Sequence, residues 1–230
     1  MVKSLSQEDH DRIGRAIAQA ETRTSGEIFC VIAGRVSSYL DVSLGWSAAA
    51  ALILPLCLIP LGFDPAWFPG IADSWEAAQL AARDLTVARA LGAYAVLQAA
   101  IFIVVFLLTR LPFVLRLVTP PAIRRARVRR SALQQFLAHG LHATRERTGV
   151  LIFLALNDRR AEIIADTAIH SRVPETVWGD AVNDLVVAMR RDRMAEGFEA
   201  AIAASGAVLA EHFPPRADNP DELPNRLVEI

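Results

Sequence analysis

Apolar residues are arranged in two ways along this chain. At both ends they recur at helix or strand spacing between polar positions; in the middle they form two long uncharged stretches. Residues 42–63 carry no charged side chain, and neither do residues 90–109. Each stretch is about as long as the ~20 residues a helix needs to cross a bilayer. Ahead of the pair, Ser6 with Asp9 has the form of a helix cap, and Ile13, Ile17 and Ala20 follow at helical spacing. A helix is expected over 7–23, stopped by Thr24-Ser25-Gly26. Residues 27–33, Glu-Ile-Phe-Cys-Val-Ile-Ala, read as a buried strand.

Beyond the second stretch the short spacings return. Residues 131–147 read as a helix with Leu133, Phe136, Leu137 and Leu141 on one stripe. Residues 150–156 are continuously apolar, a second buried strand. A turn at 157–160 leads to a third strand over 161–169, pairing back on the second. Pro174 opens a helix through Trp178, Val182, Leu185, Val186 and Met189, and a last helix covers 194–211 before Phe213-Pro214-Pro215. The polar tail 216–230 is expected to be loose. Thr24-Ser25-Gly26 and Arg147-Thr148-Gly149 each stand between a helix and an apolar strand, with glycine expected in the left-handed region. A helix–strand unit is thus used twice, with the hairpin between its two uses.

The expected architecture is an α/β fold, a helix-flanked central sheet interrupted by a two-helix transmembrane hairpin. Its parts are 1–43, the first piece of the α/β domain; 44–109, the hairpin; 110–130, a basic juxtamembrane segment; 131–215, the second piece; and 216–230, the tail. Within the spans, Gly45/Ala49 and Ala95/Ala99 are small residues four apart that permit close helix approach. Trp46 and Trp67 stand near the ends of the first span, as interfacial anchors do. In the loop between the spans, Trp75 with residues 77–82 suits a short amphipathic helix.

Composition agrees with a mixed protein. Of 230 residues 53% are hydrophobic, above the ordinary soluble range, yet 21% are charged. The net charge of -1 hides an asymmetry: no acid occurs from Leu85 to Arg145, while Arg110, Arg116, Arg124, Arg125, Arg127, Arg129 and Arg130 crowd one segment. Such a run beside a span marks a cytoplasmic flank drawn to anionic lipid. Without interleaved aromatics it argues against nucleic acid. The hairpin loop has only Arg83 and Arg89, so both termini are expected in the cytoplasm of a multi-pass inner-membrane protein. Cys30 in a strand and Cys57 in a span read as separate buried hydrophobes, not a disulfide.

No Cys-x5-Arg loop, Asp-x-Asp acceptor, Walker loop or Gly-x-Ser-x-Gly elbow is present. His139 and His142 make at most half a zinc site. His170 and His212 fit caps at strand and helix ends. The candidate metal ligands are Asp158, Asp166, Asp180 and Asp184, near the ends of the second and third strands. A hard cation, Ca²⁺ or Mg²⁺, needs several converging oxygens, and Asp180 and Asp184 share a helix face; a solvated face and an ordinary turn account for the same residues. Glu27 is expected to pair with Arg147 or Arg160.

Several short motifs carry a family resemblance. Thr24-Ser25-Gly26-Glu27-Ile28, then residues 148–153, then residues 160–166, then Glu211-His212-Phe213-Pro214 resemble, in order and spacing, the TPM domain, in a bacterial membrane-bound branch with an inserted hairpin. The resemblance covers about 5–35 and 131–214. It implies an α/β sandwich with helices on both faces. Members of that family include thylakoid proteins linked to photosystem II repair, bacterial proteins that bind divalent metal and an animal receptor-accessory protein. The family is often labelled a phosphatase. Many members carry Gly-x-Gly after the third strand, where this chain has Asp166-Thr167-Ala168. The expected function is that of an accessory or quality-control factor for other membrane proteins, with a metal-dependent phosphatase as the alternative. Its expected partners are the membrane, anionic lipid at the arginines and another membrane protein.

Overall fold

The computed structural model describes residues 5–58, 82–216 and 218–230. The expected loop helix near Trp75, with Trp67 and Pro60, lies outside them. The described residues form two compact units, one of residues 1–38 and 121–230 and one of residues 39–120.

In the first unit the order is α1 (Gln7–Glu21), β1 (Glu27–Ala33), α5 (Pro121–Ala138), β2 (Gly149–Ala155), β3 (Arg160–Ala165), α6 (Thr167–His170), α7 (Gly179–Arg190), α8 (Met194–His212) and β4 (Leu227–Glu229). The strands run β3-β2-β1-β4 across one sheet. β1 and β2 are parallel, with Glu27 opposite Gly149 and Ala33 opposite Ala155. β3 returns antiparallel on β2, as the turn required. The two central strands are buried along their whole length, which is why they read as unbroken apolar runs rather than alternating ones.

Strand alternation sorts these residues into two layers. Ile28, Cys30, Ile32, Val150, Ile152 and Leu154 meet Ile13 and Ile17 of α1, Leu185 of α7 and Phe198 of α8. Phe29, Val31, Leu151 and Phe153 meet Val128, Ala132 and Phe136 of α5 and Leu141 beyond it. The result is a helix-flanked sheet. α1 begins with the expected capping box: Ser6 accepts from the Asp9 N–H, and Asp9 accepts from the Ser6 N–H.

Three expectations change here. The helix expected at 131 begins at Pro121, so five of the seven arginines lie on α5, a helix of the α/β unit rather than a separate collar. The sequence hides this because the core stripe Val128, Ala132 and Phe136 is sparse among arginines. The tail is not wholly loose: Leu227–Glu229 adds to β1 as a parallel edge strand, and the Ile230 N–H donates to Ile32 O at 2.8 Å. The left-handed residue before β2 is Arg147, not glycine. Gly149 is required by packing instead, since a Cβ there would meet the Leu141 carbonyl oxygen. Gly26 similarly leaves room for Leu209. The two Thr-containing turns bind each other: the Glu27 N–H donates to Thr148 O, and the Thr148 hydroxyl donates to Ser25 O.

The second unit holds α2 (Leu40–Leu58), α3 (Ala82–Thr109) and α4 (Pro112–Val118). α2 and α3 pack together, and two windows, Leu40–Cys57 and Leu91–Thr109, are long and apolar enough to cross a membrane. Pro55 sits inside α2. The buried line of α2 is Ser43, Ser47, Ala51 and Pro55. Gly45 and Gly92 face open space, so these glycines do not make the close approach between the helices.

Candidate metal centre

Three carboxylates converge where β1 begins. Glu21 is the last residue of α1 and Glu27 the first of β1; Asp221 comes from the tail as it passes that end of the sheet. One oxygen of each lies within 4.8 Å of the others. The Ile28 N–H donates to Glu21 at 2.8 Å. Glu27 is 4% exposed and accepts from the N–H groups of Glu222 and Leu223 at 3.4 and 3.3 Å. Asn225 donates to Asp221 at 3.1 Å and also hydrogen-bonds Glu21. The Asn225 side-chain oxygen is buried without a partner. Among the described residues none of the three acids forms an ion pair, so the expected Glu27–arginine bridge is replaced by backbone amides.

The electrostatics follow from this packing. Burial pushes Glu21 up to about 8, with the charges of Glu27 and Asp221 adding to it and the Ile28 amide opposing it. Burial also pushes Glu27 up to about 7, opposed by the Glu222 amide and reinforced by Asp221. Near neutral pH Glu21 therefore tends to keep its proton and Glu27 is partly protonated, and a cation would displace these protons. The donors are all oxygens, with the orphaned Asn225 oxygen beside them, a set suited to a hard cation such as Ca²⁺ or Mg²⁺.

Nearby, the Ser25 hydroxyl donates to Glu146 at 2.9 Å, and Glu146 also pairs with Arg216 at 2.9 Å. Thr24 is buried, donating to Phe213 O and accepting from the Gly26 N–H. These bonds tie turn, helix end and tail together.

The four expected aspartates lie elsewhere. Asp158 is buried in the β2–β3 turn, and Asp166 is buried at the other end of β3. Six residues of strand put roughly 20 Å between them, so they do not face one ion together. Asp166 caps α6, accepting from the Thr167 N–H at 2.6 Å; its second oxygen is buried without a partner. Asp180 and Asp184 share an exposed face of α7. His139 packs against Phe29 with the rings tilted by 35° and their centroids 4.5 Å apart, while His142 lies in a separate 3-10 turn; the two are not on one helix. His170 ends α6 and His212 ends α8. Cys30 is buried in the core, which pushes its thiol far up, and Cys57 is exposed.

Glu21 and Asp221 were missed by sequence reasoning. Glu21 did leave a signal, because an acid in the last turn of a helix with no basic residue beside it opposes the helix dipole. Asp221 left none, since only tail docking brings it near.

Comparison with known proteins agrees with the fold. Residues 113–208 match the family model of the TPM domain. That stretch runs from α4 into α8 and leaves α1 and β1 outside. The BA42 protein of the psychrophilic bacterium Bizionia argentinensis, solved by NMR, is similar in fold, with a TM-score of 0.56 and 18% identity over 100% of this chain and 98% of that one. No curated protein sequence matches the chain significantly.

Proposed function

We propose that this chain is a membrane-anchored TPM-type domain, acting as an accessory or quality-control factor for other membrane proteins. The observation that carries the reading is the outward display of apolar side chains on α2 and α3. Leu52, Ile53, Leu56, Leu91, Val96, Ile103, Val104 and Leu107 are each more than half exposed. Water disfavours such a surface and lipid accepts it. A hairpin anchor in the same chain as an α/β unit suits holding or presenting partners. The excess of arginines after the second apolar helix, Arg110 to Arg130, over the two in the preceding loop supports a cytoplasmic location for both termini. The test is cross-linking and purification of the intact protein from membranes, followed by mass spectrometry. Reproducible recovery of specific membrane proteins supports the reading; recovery of lipid alone overturns it. Reporter fusions at the C-terminus and near Trp75 read the orientation.

A second reading, a divalent-metal-dependent phosphatase, draws on the carboxylates of Glu21, Glu27 and Asp221. A bound Ca²⁺ or Mg²⁺ would polarise a phosphoryl oxygen. Hydrolysis of a model phosphate ester by the purified protein, abolished in Glu27→Gln and in Asp221→Asn, would establish it. Calorimetric binding of the ion without hydrolysis would leave a purely structural metal.

A further inference from the structure

The compact membrane-type unit does not stop where α3 stops. It continues to Pro120 and includes α4. The chain turns at Arg110 and Leu111, whose N–H groups donate to Leu107 O and Leu108 O, and α4 then packs on α3. Its far end is tied to α2: the Trp46 indole N–H donates to Val118 O at 3.0 Å. α4 therefore lies across the end of the hairpin at which α2 begins and α3 finishes.

On this seven-residue helix the apolar side chains point outward. Phe113 and Leu117, four apart and on one face, are 77% and 75% exposed, and Leu111 just before them is 51% exposed. Among the large apolar side chains of the described residues, Phe113 and Leu117 are the most exposed. Trp46 beside them is 50% exposed, the disposition of an aromatic belt. Arg110 precedes the helix, Arg116 lies in its last turn, and no acid lies between Leu85 and Arg145. Charge, apolar face and continuity with α3 all fit one occupant.

We propose that α4 is an interfacial helix, with Phe113 and Leu117 sunk into the acyl boundary of the leaflet from which α3 emerges. The inference rests on α2 and α3 being spans. Bilayer contact then extends to Val118. The anionic headgroups of that leaflet neutralise the basic flank.

The experiment uses the full chain in vesicles of phosphatidylcholine and phosphatidylglycerol, in a Cys57→Ser background. Cys30 is buried and stays unlabelled. An environment-sensitive fluorophore is attached through Phe113→Cys, Leu117→Cys, Ile103→Cys as the span reference, or Glu211→Cys as the water reference. Quenchers are spin-labelled lipids, with the label shallow or deep, and aqueous iodide. The expected result is deep-lipid quenching at 103, shallow-lipid quenching with blue-shifted emission at 113 and 117, and iodide quenching at 211. Iodide quenching at 113 and 117 should be several-fold weaker than at 211. If both sites quench like 211, α4 faces water and the proposal falls. If both are shielded from lipid and iodide alike, a protein covers them and the proposal also falls. In either case deep quenching at 103 keeps the anchor intact. Iodide quenching at 103 instead removes the anchor, and the inference with it.

Discussion

The α/β unit and the segment 39–120 use the same side chains in opposite ways. Leu154, Ile152 and Phe153 in β2 are wholly enclosed, whereas Leu52 and Ile53 in α2 are 59% and 56% exposed. In the first, enclosure follows from a sheet with helices on both faces. In the second, the described residues leave much of the apolar surface of α2 and α3 uncovered. The comparison teaches that hydrophobicity alone does not say which residues form a core.

The strongest way to break this comparison is to separate the halves. Joining Ser38 to Pro121 through a flexible linker, without 39–120, should give a soluble, folded α/β domain with a dispersed NMR spectrum. An aggregating or molten product would mean that the α/β unit depends on the hairpin. A second experiment makes the same substitution in both halves. Leu154→Ala should cost about 2–5 kcal/mol through lost burial and a cavity. Leu52→Ala should cost no more than ~0.5 kcal/mol, as read by thermal melts in detergent micelles. Equal losses would place Leu52 in a core.

Smaller effects sharpen the picture within the α/β unit. Gly149→Ala pushes a methyl group onto backbone that cannot move freely, and should lower stability by about 1–3 kcal/mol. A Gly149→Ala melt unchanged from the parent would show that the turn before β2 can relax. The smallest effect is in pH. Glu21 and Glu27 titrate above the ordinary carboxylate range when folded. The stability they contribute is full below the unfolded values near 4.5 and is lost as pH rises through about 7 and 8. Melting temperature in chelator should therefore fall by a few degrees from pH 6 to 8.5, and Glu27→Gln should flatten the slope. Added Ca²⁺ should restore stability at the alkaline end if the cluster holds the ion. A slope of opposite sign would contradict the protonated state.

What the sequence made legible divides along similar lines. β1 and β2 were readable because burial on both faces leaves an unbroken apolar run. α1 was readable through Ser6 and Asp9. α5 was displaced because arginines outnumber its three core residues. β4 was missed because three residues pairing with a strand nearly two hundred positions away leave no local pattern. The acidic site fell into the same gap. Asp158, Asp166, Asp180 and Asp184 share only nearness to strand ends in the sequence; the length of β3 parts two of them, and the carboxylates that converge need the tail.

The insertion of the hairpin between two adjacent parallel strands also sets a timetable. β1 ends at Ala33, but β2 starts at Gly149 and β4 at Leu227. At ribosomal speed β1 waits on the order of ten seconds for its first neighbour, and longer for its second. During that interval a seven-residue strand, wholly apolar after Glu27, stands with both edges open while the hairpin is emerging. Sheet closure must therefore wait for Leu227–Glu229, long after the residues of β1 and of the intervening hairpin have been made.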